Sequence, residues 1–145
     1  MYFLGTFDYA MDERGRVPLP PRHRDVFRTG IVLSQGSPDR CIRVYTLEAF
    51  EAQSTQVTAV STMLGKGRDL RRMFFSKTHD TQLDPQSRVL IPGWMRDYAG
   101  LSGKVLVVGA GEWLEVWSPE AYETDINRIA GSLQATMESI EERLG

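Results

Sequence analysis

Asp12-Glu13-Arg14-Gly15-Arg16-Val17-Pro18-Leu19-Pro20-Pro21-Arg22-His23-Arg24-Asp25 returns in degenerate form as Asp84-Pro85-Gln86-Ser87-Arg88-Val89-Leu90-Ile91-Pro92-Gly93-Trp94-Met95-Arg96-Asp97. Asp12 and Asp84 stand 72 positions apart, and the same offset lays Arg16 on Arg88, Val17 on Val89, Leu19 on Ile91 and Arg24 on Arg96. With no gap it also pairs Ile42 with Leu114, Val44 with Val116, Tyr45 with Trp117 and Phe50 with Tyr122. A fixed period held over this length marks a tandem duplication. Each copy is too short to bury enough surface alone. The expectation is one compact domain, residues 1–145, built of repeats at about 2–57 and 75–131.

Residues 2–11 read as a strand, 12–15 as a turn and 16–19 as a second strand, so each repeat opens as a hairpin. Pro20 and Pro21 suit a helix start, because a missing N–H costs nothing there. A short helix at 22–28 closed by Gly30 follows, then strands at 31–33 and 41–45, and Thr46 caps a helix over about 47–57. Residues 67–74 predict a basic linker helix. The second copy repeats the order, with strands at 75–83, 88–91, 104–108 and 113–117 and a helix capped by Ser118. From Ser132 onward, Leu133, Met137, Ile140 and Leu144 recur at helical steps and predict a final acidic amphipathic helix.

The chain has 145 residues, 41% hydrophobic and 25% charged, an ordinary globular composition. Its opening Met1-Tyr2-Phe3-Leu4-Gly5 lacks the pattern of a signal peptide and no apolar run is long enough for a membrane span, so the expected compartment is the cytoplasm. The lone Cys41 reads as a buried structural thiol. A net charge of −2 hides a split. Residues 1–111 carry 15 Lys and Arg against 11 Asp and Glu, whereas residues 112–145 carry 2 against 8. A basic body with an acidic tail is compatible with nucleic acid if the arginines share one face.

Arg14 and Arg16 flank a glycine in a hairpin turn, where backbone can approach a ligand and two cations project together. Such loops suit phosphate contacts and guanine readout in the major groove; Arg14 and Arg16 are the leading candidates, and Arg88, the counterpart of Arg16, joins them with both a structural and a DNA-binding role open to it. Arg22, Arg24 and Arg28 on the short helix come second, since such a run is more often a solvated face. The competing reading is structural: Asp12 with Arg16, and Asp84 with Arg88, pair across their turns and pin the fold, with Gly15 and Arg96 in the same role. No cofactor, metal set or catalytic constellation is visible. Gly65-Lys66-Gly67 lacks the phosphate-loop spacing, Gly109-Ala110-Gly111 precedes a strand, and His23 and His79 stand alone.

Two tandem Asp-x-x-x-Arg units, each followed by an apolar-Pro step and an Arg-Asp helix, resemble the MraZ family across essentially the whole chain. The resemblance implies an α+β, pseudo-twofold AbrB-like swapped-hairpin β-barrel with peripheral helices. It further implies a ring-shaped, octamer-like homo-oligomer, cytoplasmic and nucleoid-associated, without membrane or small-molecule substrate. Its implied partner is double-stranded DNA, at direct repeats upstream of the cell-division and cell-wall gene cluster that includes the family's own gene. The sequence departs from the family pattern at Arg14, where Lys is common, and at Ser87, where Gly is common; a turn that needs positive φ disfavours Ser. The alternative is a structural or protein-interaction scaffold of the same fold.

Overall fold

The computed structural model describes residues 2–144. The chain enters through β1 (Thr6–Ala10), turns at 12–15 and leaves on β2 (Arg16–Pro18). Pro20 and Pro21 fix φ and start one short 3-10 helix, Pro21–Phe27. Then β3 (Ile31–Gln35) and β4 (Ile42–Thr46) form a hairpin, and the Thr46 hydroxyl accepts from the Ala49 N–H at 3.1 Å to cap α1 (Leu47–Thr58). The link is α2 (Gly65–Ser76). The second repeat supplies β5 (Thr78–Thr81), β6 (Arg88–Leu90), α3 (Gly93–Ala99), β7 (Lys104–Gly109) and β8 (Leu114–Trp117). Ser118 accepts from the Ala121 N–H at 3.2 Å and opens α4 (Pro119–Leu144).

All strand pairings are antiparallel, in a six-stranded sheet of order β1-β7-β8-β4-β3-β5 and a two-stranded ribbon of β2 with β6. That order reverses onto itself when the repeats are exchanged. First strands cross over: β1 pairs with β7 of the other repeat, and β5 with β3. Two pairs lie on the approximate twofold, Val17 opposite Val89 and Arg43 opposite Glu115, each related by 72 positions.

One strand breaks the ungapped register. Leu33 faces His79, while Val107 faces Phe7, the residue 72 before His79, so Leu33 corresponds to Val107 at an offset of 74. The second copy gains two residues between α3 and β7 and loses two between β7 and β8. Because side chains alternate with a period of two, an even slip keeps β7 facing the same way, where a slip of one would turn it inside out.

One core draws on both repeats and on both layers. Val17, Leu19, Val89 and Ile91 from the ribbon region pack with Leu33, Ile42, Val44, Val105, Val107, Leu114 and Val116 of the sheet. The ribbon therefore lies over the sheet with its valines inward. The sheet itself is open, since its edge strands β1 and β5 do not pair.

Several elements differ from expectation. Gly5, at φ 88°, interrupts the strand expected over 2–11, and Phe3 makes only an isolated bridge to Gly111. The strand expected over 75–83 shrinks to Thr78–Thr81, because Phe74 and Phe75 are drawn into α2, where Phe74 stacks on Phe50 of α1 at 5.4 Å. The terminal helix is continuous from Pro119, not a separate helix from Ser132. Gly131 interrupts nothing, as a single exposed helical glycine costs only about 1 kcal/mol.

Because both repeats feed one core, Leu19→Ala and Ile91→Ala should each cost about 2–5 kcal/mol. Urea melts followed by tryptophan fluorescence and by far-UV circular dichroism should coincide in one transition for each variant. Two separated transitions would show that the repeats fold independently.

Candidate nucleic-acid interface

The ribbon pairs three residues of each strand and has two faces. Val17 and Val89 point into the core, so Arg16 and Pro18 of β2, with Arg88 and Leu90 of β6, line its outer face. Both Asp-x-x-x-Arg turns lead onto that face from opposite ends. Each turn closes in the same way: the Asp12 and Asp84 carbonyls accept from the Gly15 and Ser87 N–H groups at 3.0 and 2.9 Å.

Each aspartate then clasps its turn from within. Asp12 Oδ1 accepts from the Arg14 and Arg16 N–H groups at 3.0 and 2.9 Å, and Oδ2 from Arg16 Nε at 2.7 Å. Asp84 repeats this with Gln86 N, Arg88 N and Arg88 Nε at 2.9, 2.9 and 3.0 Å. Arg88 Nη1 also reaches Asp12 Oδ2 at 3.4 Å, an ion pair that joins the two repeats. Among the described residues, Arg16 makes no reciprocal contact with Asp84. The Arg16 backbone N–H, with its guanidinium, holds the Asp12 carboxyl below the usual carboxylate range. Burial pushes Asp84 up, but the Arg88 N–H and guanidinium outweigh it and the net direction is also down.

The residue before each arginine occupies left-handed backbone, Gly15 at φ 92° and Ser87 at φ 59°. The turn type demands that conformation in both copies, so Ser87 sits where glycine would be unstrained. Gly15 has a second reason to lack a side chain: a Cβ there would lie 2.6 Å from Arg96 Nε and 2.8 Å from the Ile91 carbonyl. The Ile91 N–H bonds the Gly15 carbonyl at 2.9 Å, so the first turn is sewn to the second repeat.

The expected site residues thus divide. Asp12, Asp84, Arg16 and Arg88 form the clasps, with the arginine side chains about a quarter to a third exposed. Arg24 Nε and Arg96 Nε donate to the Leu19 and Ile91 carbonyls at 2.9 and 3.0 Å, equivalent braces that stop the strand ends. Arg22 Nε donates to His23 Nε2 at 3.3 Å and is otherwise exposed. Arg14 is exposed at the turn tip, and its guanidinium has no partner among the described residues. Its counterpart Gln86 carries no charge.

A second polar cluster escaped the sequence reading. At the approximate twofold, Glu115 accepts from Trp113 Nε1 at 3.1 Å and Trp117 Nε1 at 2.9 Å, while Arg43 lies over the Trp113 ring at 4.5 Å and donates to the Tyr45 hydroxyl at 3.1 Å. The 72-residue offset already placed Arg43 on Glu115, a charge-reversed pair in an otherwise matching register, and that mismatch was the available signal. Cys41 is buried, and burial drives its thiol pKa far upward. Among the described residues no group of three His, Cys, Asp or Glu has metal-holding geometry, and no helix is long and apolar enough to cross a membrane.

The MraZ protein family model, antitoxin-like by its description, matches twice, over residues 2–73 and 74–143. The chain is 36% identical over 142 residues to "Transcriptional regulator MraZ" of Thermomicrobium roseum, covering 98% of this chain and 96% of that one. It is 32% identical over 140 residues to the protein of the same name from Dehalococcoides mccartyi strain BAV1, covering 97% and 99%. The Micrococcus luteus protein of that name is 35% identical over 138 residues, covering 95% and 96%.

Two stability measurements check this geometry. Ser87→Gly should raise stability by up to about 1 kcal/mol, relief of left-handed strain being partly offset by a freer unfolded chain, whereas Gly15→Ala should lower it. The lowered carboxyl pKa values give a stabilisation that is complete above about pH 4 and fades as pH falls through the folded values. A denaturation series between about pH 5 and 2 should show that acid loss in the parent and a flatter profile in the Asp12→Asn, Asp84→Asn double variant. Equal slopes would mean the carboxylates are not held ionised by the clasp.

Proposed function

The chain belongs to the MraZ family, and from that membership we propose that it is a sequence-specific, double-stranded-DNA-binding regulator of transcription and not an enzyme. In this reading it works in the cytoplasm at the nucleoid, as a ring-shaped, octamer-like homo-oligomer. Its sites are direct repeats upstream of a cell-division and cell-wall gene cluster that includes its own gene. We read the exchange of β1 and β5 between repeats as the swapped-hairpin arrangement, with residues 1–145 acting as one domain.

The observation that carries this reading is the outer face of the β2–β6 ribbon, which gathers both clasped arginines beside the unpaired Arg14. A two-stranded ribbon fits the major groove of B-form DNA. Arg16 uses its Nε on Asp12 and keeps both terminal nitrogens for phosphate or guanine, whereas Arg88 spends Nε on Asp84 and Nη1 on Asp12 and keeps Nη2; the Arg14 guanidinium has no partner among the described residues. Arg22 flanks the site as a phosphate contact. Arg24 and Arg96, committed to carbonyls, brace it. A protein-interaction scaffold is the second reading, favoured by the local balance of clasp charges, which leaves each ribbon little net positive potential.

Fluorescence anisotropy on an upstream repeat fragment at several salt concentrations tests the assignment. Arg14→Ala should bind more weakly and lower the salt slope by about 0.9 for each phosphate no longer neutralised, with stability unchanged within about 0.5 kcal/mol. Arg16→Ala should weaken binding and also destabilise the turn. If both variants bind as tightly as the parent with the same slope, DNA is engaged elsewhere or the scaffold reading holds.

A further inference from the structure

The two turn apices match in backbone and differ in chemistry. In each, the residue two before the clasp arginine is held by the aspartate of its own turn: the Arg14 N–H donates to Asp12 Oδ1 at 3.0 Å and the Gln86 N–H to Asp84 Oδ1 at 2.9 Å. Both are the third residue of a four-residue turn closed from its first carbonyl to its last N–H, and both are exposed. The first apex is Glu13-Arg14 and the second is Pro85-Gln86, so the second carries no charged side chain. Proline at the second position of such a turn pre-sets φ and stiffens the backbone that presents Gln86. Among the described residues the Gln86 side chain makes no hydrogen bond; its backbone N–H alone is engaged.

The clasp arginines differ as well. Arg16 gives only Nε to an aspartate side chain and keeps both terminal nitrogens. Arg88 gives Nε to Asp84 at 3.0 Å and Nη1 to Asp12 at 3.4 Å, which leaves Nη2 uncommitted. A guanidinium with two free terminal nitrogens offers the fork that fits guanine O6 and N7, whereas one with a single free nitrogen offers a one-point contact. At the first turn, Arg14 and Arg16 both present forks. At the second, the fork that is left is the carboxamide of Gln86, an acceptor beside a donor. That pattern fits adenine, whose N7 accepts and whose N6 donates in the major groove, and it does not fit guanine, which presents two acceptors there.

Antiparallel pairing of β2 with β6 puts the turns at opposite ends of one ribbon, with Arg16 opposite Leu90 and Arg88 opposite Pro18. We propose that Gln86 is the specificity-determining residue of the second turn, reading adenine through its carboxamide, while the first turn reads guanine through Arg14 and Arg16. The inference rests on the DNA-binding role proposed above and deepens it: one subunit reads an asymmetric site, guanine at one end and adenine at the other. Because Gln86 is uncharged it neutralises no phosphate, so it contributes selectivity and takes no share in the salt-dependent part of affinity.

Selection from a randomised duplex library, followed by anisotropy on the selected duplex and on each of its single-base-pair changes, tests this with the full-length parent, Gln86→Ala and Gln86→Arg; circular dichroism confirms that all three fold alike. The parent is expected to prefer adenine at one position by roughly tenfold, the discrimination of one bidentate pair. Gln86→Ala should lose that preference alone, keeping its other preferences and its salt slope. Gln86→Arg should move the same position to guanine. If the preference lost in Gln86→Ala is for another base, or if neither variant alters any position of a motif the parent clearly selects, the proposal fails while the DNA reading stands. Equal weakening by Gln86→Ala at every position would mark a role confined to the turn's shape and overturns the proposal too. A parent that selects no motif overturns the sequence-specific reading itself, and the proposal with it.

Discussion

The pairing of β2 with β6, centred on Val17 opposite Val89, is the contact on which the rest of the molecule depends. Both valines are wholly buried, and they come from points 72 residues apart in the chain. Burying an apolar side chain of this size contributes on the order of 1.5–3 kcal/mol, and here it does two things at once. It closes the core over the sheet, and it fixes which face of each short strand points outward. Period-two alternation then leaves Arg16 and Arg88 no choice but the shared outer face. Hydrogen bonds from Ile91 N–H to the Gly15 carbonyl and from Leu19 N–H to the Ser87 carbonyl extend the tie into both turns.

Given that tie, the arginines separate into groups by what their nitrogens already touch. Arg24 and Arg96 satisfy carbonyls where the strands end, work that an uncharged donor could do only at shorter reach. Arg16 and Arg88 are held by two-point contacts to aspartate, through backbone and Nε, which fixes the guanidinium plane before any ligand arrives. A planar cation fixed in advance loses less conformational freedom when it meets phosphate or a base edge. The structural and functional readings of Asp12 and Asp84 therefore do not compete. The ion pair that steadies the turn is also what orients the arginine.

Much of this was legible in the chain itself. The 72-residue offset located both turns, the residues that share the core and the equivalence of Gly15 with Ser87. Ser87 itself looked like a departure that could alter the second turn, yet its backbone adopts the left-handed form because the Asp84 clasp and the β2–β6 pairing outweigh about 1–2 kcal/mol of strain. What stayed hidden had specific causes. The two-residue slip of β7 is invisible because gain and loss cancel within fifteen residues. The stacking of Arg43 on Trp113 requires knowing that β4 and β8 are neighbours. The failure of residues 75–77 to extend β5 reflects packing of Phe74 on Phe50, a tertiary contact that no local propensity encodes.

The two halves of the duplication are nonetheless unequal, and the inequality bears on how the chain would read DNA. The first turn carries Arg14 and an unstrained glycine, and the second has Gln86 and a strained serine. The symmetric ribbon thus presents a stronger and a weaker end, which gives each subunit a direction despite its approximate twofold. A directional module arrayed in a ring matches direct repeats, where a truly twofold module would match inverted ones. Charge points the same way. With a net −2 on the whole chain and clasp charges nearly balanced, the proposed DNA reading requires that affinity come from several subunits engaging at once.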